Sequence, residues 1–539
     1  MLIDARDVAD GATLEADLCV VGAGAAGITI ARELVDASVD VLLLESGGFE
    51  ADTATQALYE GEMIGTPFIN GFDPNSEIDL DVVRLRFFGG TTNHWAGWCR
   101  PFDAVDFERR EGLAVSGWPI SRAELDPWYE RAHQVIRLGP VEYDWAYWAD
   151  QGLPPAVLDS DLISTRAIQV KWPFSFGEVY RADLEAAGNV SVCTHANVVR
   201  FDTNPEGTEV RGARVAILDG GPRFVARARA YVLATGGIEV PRVLLASNEA
   251  NPAGLGNQHD LVGRHFTEHL LVPAGFAVLH TAQSALGLFL DNERDVDPEG
   301  APPGQKISVR AALTVSEQAR RELGLLGCEL SLTPGPVAAG APRQDDGATS
   351  VDVSALLGAV EGADAGAVAY VQCESEQTLD PASRVTIDPR DRDPLGVPRV
   401  RVDWRVGAED RRGIQRALAL LATELGRTGV GRLQAALGGL TFNPDVDEAA
   451  GPLALYESTP ADAVDDFPVA QGFHHMCTAR MADDPRQGVV DADGKVHGVA
   501  NLWIGGSAVF ATGGANTPTL TITALALRLA DHLRRQVLR

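Results

Sequence analysis

Two short stretches of this sequence carry residue types at spacings that do chemistry. Gly22, Gly24 and Gly27 form a GxGxxG run directly after one apolar stretch and at the opening of an amphipathic one. In that context Gly22 permits a tight turn, Gly24 with Ala25 and Ala26 lets the backbone approach a phosphate, and Gly27 allows close packing of helix on strand. The N–H groups at the start of the helix then face a pyrophosphate. Glu45 closes the next apolar stretch, at the spacing of a carboxylate that accepts bonds from ribose hydroxyls. Its charge disfavours a 2′-phosphate and so argues against NADP. The run implies a dinucleotide and leaves NAD and FAD open. Near the other end, His474 and His475 stand side by side. A neutral imidazole is a competent base at physiological pH, and alternation along an extended segment predicts that one ring of the two faces the reaction.

These residues need elements to position them. The segment "DLCVVGAGAAGITIARELVDASVDVLLLES" reads as a buried strand, a glycine turn, a helix and a second buried strand. Residues 51–80 lack periodicity and read as loops. "RFFGGTTNHWAGWCR" has the composition of an ordered loop wrapped on a ligand, and helix resumes near Ser121 to Leu138. Short alternating strands follow from "NVSVCTHANVVRF" to "AYVLAT", with a helix from Glu239. Between about Val272 and Gln471 strands dominate. On "VQCESEQ" alternation puts Gln372, Glu374 and Glu376 on one face, either to bind sugar hydroxyls or ammonium groups or as a solvated sheet edge. Thr333 to Thr349 reads as an exposed loop, lid or insertion. The expected fold is α/β (α+β overall), with a Rossmann-like lobe and a second, mostly antiparallel lobe. The expected plan is 1–120, 181–271 and 472–539 for the dinucleotide lobe, 121–180 for a helical segment and 272–471 for the substrate lobe.

The C-terminal string "HHMCTARMADDPRQGVVDADGKVHGVANLWIGGSAVFATGGANTPTLTITALALRLADHL" resembles the signature of the glucose–methanol–choline (GMC) oxidoreductases, matching it through His474, Thr478, Arg480, Asp491, Gly498, Asn501, Gly506, Ser507 and Asn516. "ATGGIEVPRVLL" and "LVGRHFTEH" fall in the same family order, so the resemblance covers nearly the whole chain. It implies FAD as cofactor, His474 as the base that takes the hydroxyl proton while hydride passes to the flavin, and Asn516 as the donor that steadies the substrate oxygen. Thr517 is expected to cap a helix opening at Pro518, one residue further along than the commonest family pattern. Expected flavin contacts are Gly22, Gly24, Ala25, Ala26, Gly27, Glu45, Gly90, Asn93, His94, Ala96, Val198, Ala234, Gly506, Ser507 and Thr517. The loop "GGTTNHWAG" is similar to that of pyranose 2-oxidase-like members, whose histidine at the position of His94 carries the flavin covalently; other relatives hold it non-covalently. Ala96 departs from the threonine found there. By this analogy the substrate is carbohydrate-like: a sugar, a glycoside or an amino sugar. A hydrophobic alcohol or sterol, and a non-catalytic flavin-binding protein, are the alternatives. The resemblance also implies oxygen or another electron acceptor as partner.

Composition agrees with a large folded enzyme. At 539 residues the chain is long enough for two lobes, and 45% hydrophobic with 22% charged residues excludes a disordered polymer. A formal charge of −30 disfavours nucleic acid, whose phosphates need a basic surface, and is compatible with a cationic substrate. No apolar run approaches the roughly 18 residues of a membrane span, and the start has neither a basic nor an apolar signal core, so the expected location is cytoplasmic. The six cysteines are scattered, and no metal-ligand spacing is visible; reduced thiols and no metal are expected.

Overall fold

The structure is a computed structural model that describes residues 1–70, 73–296, 305–334, 367–435 and 467–539. The expected strand–turn–helix–strand unit is Thr13–Val21, Ala25–Glu33 and Val41–Leu44. Both strands pair in parallel with their neighbours and end as buried runs, which is why they read as continuous apolar stretches rather than alternating ones. The eight-stranded sheet runs Leu2–Asp4, Val190–Thr194, Val41–Leu44, Thr13–Val21, Arg223–Leu233, Val210–Ala216 and Asn197–Thr203, with Leu502–Ile504 also on Arg223–Leu233. Helix Ala25–Glu33 packs against the C-terminal helix Thr519–His532, which in turn packs on Arg122–Ile136. Ser121 and Glu124 close a capping box on Arg122–Ile136, which fixes its start one residue after the expected position.

Among the described residues the second sheet has nine strands, all antiparallel where paired: Gly431–Ala435, Leu270–Leu279, Ala367–Ser375, Cys328–Pro334, Gln305–Val315, Ile163–Val170 and Trp98–Cys99 in order, with Asn292–Val296 and Ala470–Gln471 attached. One face is covered by the amphipathic helix Ala408–Arg427 and a core that includes Leu418, Leu421 and Trp404. The other face looks toward the nucleotide-type sheet. Arg384–Arg392 and Pro398–Asp403 do not extend this sheet; they form a three-stranded sheet with Gly61–Met63, so residues 51–80 contain short strands where only loops were expected. The expected loop at Thr333 to Thr349 lies, from 335 onward, outside the described residues. Among the described residues no helix is long and apolar enough to cross a membrane, and all six cysteines are buried and unbridged.

Candidate active site

The glycine turn is built by backbone contact. Gly22 has φ +100°, and a Cβ there would stand 2.7 Å from the Ala234 carbonyl oxygen. A Cβ on Gly27 would lie 1.8 Å from the Gly22 oxygen, so helix and turn can meet only through glycine. Gly24, the N-cap, borders open space instead. That space belongs to a cavity of about 620 Å³ between the two sheets. Three helices open on it: Ala25–Glu33 through Gly24, Gly236–Ala246 through Thr235, and Thr519–His532 through Pro518. Their aligned peptide dipoles favour negative charge in the cavity. A cradle of bare backbone N–H groups with no side chain filling it fits the pyrophosphate of a dinucleotide.

Of the residues expected to touch the cofactor, Gly22, Gly24, Ala25, Ala26, Glu45, Gly90, His94, Ala96, Val198, Ala234, Gly506, Ser507 and Thr517 line this cavity. Gly27 does not, since its place is packing. Asn93 does not either: its amide donates to the Phe88 and Gly90 carbonyls at 3.1 and 2.9 Å and accepts from Ser175, closing the loop that presents His94. Glu45 accepts from the Ala23 and Gly47 N–H groups, both at 2.9 Å, which fixes its carboxylate at the cavity wall. Beneath the cavity lies a charge cluster that the sequence did not announce. Glu239 pairs with Arg86 at 3.2 Å, Arg242 at 3.0 Å and Arg84 at 3.4 Å. Burial alone would raise the Glu239 carboxyl, but Arg242, Arg86 and Arg84 hold it down to about 2.

At the other end of the cavity stand both histidines. The expectation that only one of them faces inward fails, because Phe473 takes a left-handed φ of +60° and breaks the extended geometry; His474 and His475 both line the wall. His475 packs against Phe68 and Phe266, with ring centroids 5.8 and 6.0 Å away, and burial pushes it well below the usual imidazole range. Its Nε2 lies 3.2 Å from Glu268, whose other oxygen accepts the His474 backbone N–H at 2.6 Å. Burial raises Glu268 to about 8, so near neutrality it is a carboxylic acid clamped under the histidine pair.

His474 has partners far away in sequence. Its Nδ1 lies 3.4 Å from Glu374 Oε1 and 2.9 Å from His269 Nδ1. His269 Nδ1 also meets Glu374 Oε1 at 2.9 Å, and its Nε2 donates to the Gly513 carbonyl at 3.0 Å. Both nitrogens of His269 therefore face acceptors; burial would lower its affinity for a proton, but the Glu374 carboxylate outweighs this and the net direction is upward. Burial also works against charge on Glu374, yet the two imidazoles hold it down to about 2. His474 is lowered by burial and stays neutral at physiological pH. In the tautomer with its proton on Nδ1, toward His269 Nδ1 at 2.9 Å and Glu374 Oε1 at 3.4 Å, the Nε2 of His474 is left bare and has no protein partner among the described residues. An imidazole oriented by a carboxylate, with its second nitrogen free, can take a proton.

Asn516 is not at this site. Its amide donates to the Pro101 carbonyl at 2.7 Å and accepts from the Arg100 guanidinium, which also holds Asp103, and the side chain is buried off the cavity. Thr517, the residue next to Pro518, lines the wall in its place. Nor does Thr517 cap the helix: its hydroxyl donates to the Trp98 carbonyl at 2.8 Å, and the helix begins at Thr519. The acidic face of Ala367–Ser375 is not a solvated edge, because this strand lies inside the sheet; Gln372 and Glu374 look into the cavity. Glu376 is buried instead against Arg110 and Arg320.

Comparison with known proteins fits this geometry. Residues 380–526 match the GMC oxidoreductase family and residues 17–253 the FAD dependent oxidoreductase family. The chain carries a GMC oxidoreductase C-terminal domain together with an FAD dependent oxidoreductase domain. It is 24% identical to 2-methyl-1,2-propanediol dehydrogenase of Mycolicibacterium austroafricanum over 97% of its length and 96% of the relative's. It is 23% identical to the fructose dehydrogenase large subunit of Gluconobacter japonicus over 97% and 98%. With 6'''-hydroxyparomomycin C oxidase of Streptomyces lividus it shares 26% over 96% and 92%. In fold it is similar to pyridoxine 4-oxidase from Mesorbium loti, at 18% identity and TM-score 0.55, covering 96% of this chain and 98% of that one. A fungal aryl-alcohol oxidase aligns at 15% identity and TM-score 0.57, covering 97% and 99%. The protein is thus an FAD-dependent enzyme that oxidises alcohols, with a small-molecule donor and an electron acceptor.

Proposed function

We propose that the enzyme oxidises a hydroxyl group of a carbohydrate-like molecule, a sugar, a glycoside or an amino sugar, with His474 as the base. The observation that carries the substrate class is the wall beside His474. Ser331 and Gln372 are cross-strand partners there and Glu374 stands two residues from Gln372, all three lining the cavity. The side chains of Ser331 and Gln372 have no hydrogen-bond partner among the described residues. A polyhydroxylated ligand satisfies such groups, whereas a sterol or plain aliphatic alcohol would desolvate them unpaired, at about 1–3 kcal/mol each. Two of the relatives are named for a sugar and for an aminoglycoside.

In this reading Gly22, Gly24, Ala25, Ala26, Glu45, Gly90, His94, Ala96, Val198, Ala234, Gly506, Ser507 and Thr517 hold FAD, and the His94 ring, which lines the cavity, is the candidate for a covalent link. Bound FAD supplies a two-electron acceptor for the hydrogen that leaves the carbinol carbon. His474 takes the hydroxyl proton at Nε2, and the imidazolium so formed is stabilised through Nδ1 by Glu374. His269, bound to Glu374 and to the Gly513 carbonyl, keeps that carboxylate in place. Asn516 takes no part at the substrate oxygen; it anchors the loop before the last helix.

Anaerobic mixing of the yellow enzyme with sugars, aminoglycosides, diols and aromatic alcohols, followed by flavin absorbance, tests the substrate class. Bleaching by polyhydroxylated donors is expected. Bleaching by hydrophobic alcohols alone would overturn the reading.

A further inference from the structure

Glu329 lies on Cys328–Pro334 directly opposite Glu374 on Ala367–Ser375. Residues so opposed in an antiparallel pair put their Cβ atoms about 4.5–5.5 Å apart on one face. Two carboxyl groups therefore share the row that ends at His474. Glu329 is buried, at 4% exposure, and no hydrogen-bond donor reaches its side chain among the described residues. A carboxyl group set in the interior beside a reacting centre commonly has a chemical role.

The charges around Glu329 are accounted for elsewhere. Glu374 faces it from the neighbouring strand and is itself bound to His269 and His474. His269 acts on Glu329 from beyond Glu374 and is turned to Glu374 and the Gly513 carbonyl. Arg310, on Gln305–Val315, reaches Asp291 at 3.5 Å and covers the Trp98 ring at 4.4 Å. Arg100 is spent on Asp103 and Asn516. None of these forms an ion pair with Glu329, so Arg100, Arg310 and His269 offset a second negative charge only from a distance, and burial together with Glu374 outweighs them.

We propose that Glu329 is a positioning residue for the base: with Glu374 it forms a carboxyl pair that holds one proton, and the charge on Glu329 sets how tightly His474 binds a proton. Two carboxylates in one buried row cannot both ionise freely. Glu374 is the ionised member because two imidazoles face it, and Glu329 keeps the proton. Burial, with the Glu374 charge second, raises Glu329 to about 7. When Glu329 ionises, the added negative charge strengthens the proton affinity of the His269, Glu374 and His474 cluster. The proton that leaves Glu329 goes to solvent; no bond to substrate is made or broken by it. The inference rests on His474 being the base.

The test is pH-difference infrared spectroscopy on the FAD-loaded enzyme, wild type and E329Q, which needs no substrate. Two protonated-carboxyl C=O bands, from Glu268 and Glu329, are expected to vanish between about pH 5 and about pH 9 in the wild type, and E329Q should lose one and keep the other. Flavin reduction by an alcohol that bleaches the enzyme gives the second readout. The slowing of E329Q relative to wild type should be about 3- to 10-fold greater at about pH 9 than at about pH 6, because only at high pH does the wild type carry the extra charge. Equal slowing at every pH, or the survival of both bands in E329Q, would overturn the proposal. Should E329Q fail to load FAD, Glu329→Asp serves: band and rate limb must then move in pH, and an unmoved band or limb counts against it. Failure of every sugar in the donor screen leaves the infrared result standing, so the two readings fall separately.

Discussion

The two ends of the cavity are built from different materials. At the dinucleotide end the wall is backbone: Gly22, Gly24, Ala25 and Ala26, at a turn where helix and strand touch. At the histidine end it is side chains, with Glu374, His269, His474 and Glu268 drawn from the antiparallel sheet and the segments beside it. A phosphate asks only for N–H groups and space, which one local turn provides. Removing a proton asks for an imidazole in a fixed tautomer, and fixing it takes a carboxylate that here lies 100 residues away in the chain. The first end should therefore fail through geometry and the second through charge.

The sharpest break of that contrast is Gly27→Val. Since even a Cβ would stand 1.8 Å from the Gly22 oxygen, the turn cannot close, and the purified variant should carry no flavin absorbance. A yellow Gly27→Val enzyme would show that the turn is not what holds the cofactor. At the other end His474→Ala should stay yellow but reduce its flavin about 10²- to 10⁴-fold more slowly in stopped-flow measurements; a normal rate would remove His474 as base. Glu374→Gln should sit between, slowing reduction about 10- to 100-fold, as carboxylate partners of functional histidines do by analogy, with its pH profile displaced to lower pH. An undisplaced profile would reduce Glu374 to packing.

Asn516 sharpens the comparison because it belongs to neither end. Asn516→Leu takes one partner from the Arg100 guanidinium, which keeps Asp103, and leaves the Pro101 carbonyl without its donor, so a loss of about 1–3 kcal/mol in denaturant unfolding is expected. The reduction rate of the folded variant should stay within about threefold of wild type. A loss of rate near that of His474→Ala would return Asn516 to the substrate.

The smallest effect concerns pH and stability. Glu268 is held near 8 by burial, against about 4.5 for a free glutamate. Between those values the folded protein keeps a proton that the unfolded chain has released, so stability falls as pH rises through the window and levels off above it. Glu268→Gln should remove this slope: its melting temperature should exceed that of wild type by a few degrees near the top of the window and match it below the bottom. Parallel melting curves at both ends would mean that Glu268 ionises freely in the fold.

How much was legible follows from distance along the chain. The strand, turn and helix around Gly22 could be read because the glycines, the apolar runs and Glu45 fall within 33 residues, although the Ala234 backbone that Gly22 meets lies far along the chain, and the parallel strands announced themselves as unbroken apolar runs. The mostly antiparallel second sheet was legible from its alternation, but Gln372 and Glu374 looked like an exposed edge, since alternation gives a face and not what the face meets. His474 was legible only through family resemblance. His269 lies in "LVGRHFTEH" and Glu374 in "VQCESEQ", both quoted stretches, yet nothing local says that they converge. The error at Asn516 and Thr517 is one of register: a single residue decides which side chain turns to the cavity and which to Arg100.

By itself the sequence determined a dinucleotide turn, two kinds of sheet and a C-terminal segment with the residues of alcohol oxidation, because each is a short-range pattern of turn, period or motif. Only the tertiary structure decided that Glu374 and His269 meet His474, that Asn516 turns to Arg100 and Pro101, and that Glu329 stands opposite Glu374 without an ion-pair partner. Strand register and the side to which a loop residue turns set those relations, and both are fixed by packing between parts of the chain that are remote in sequence.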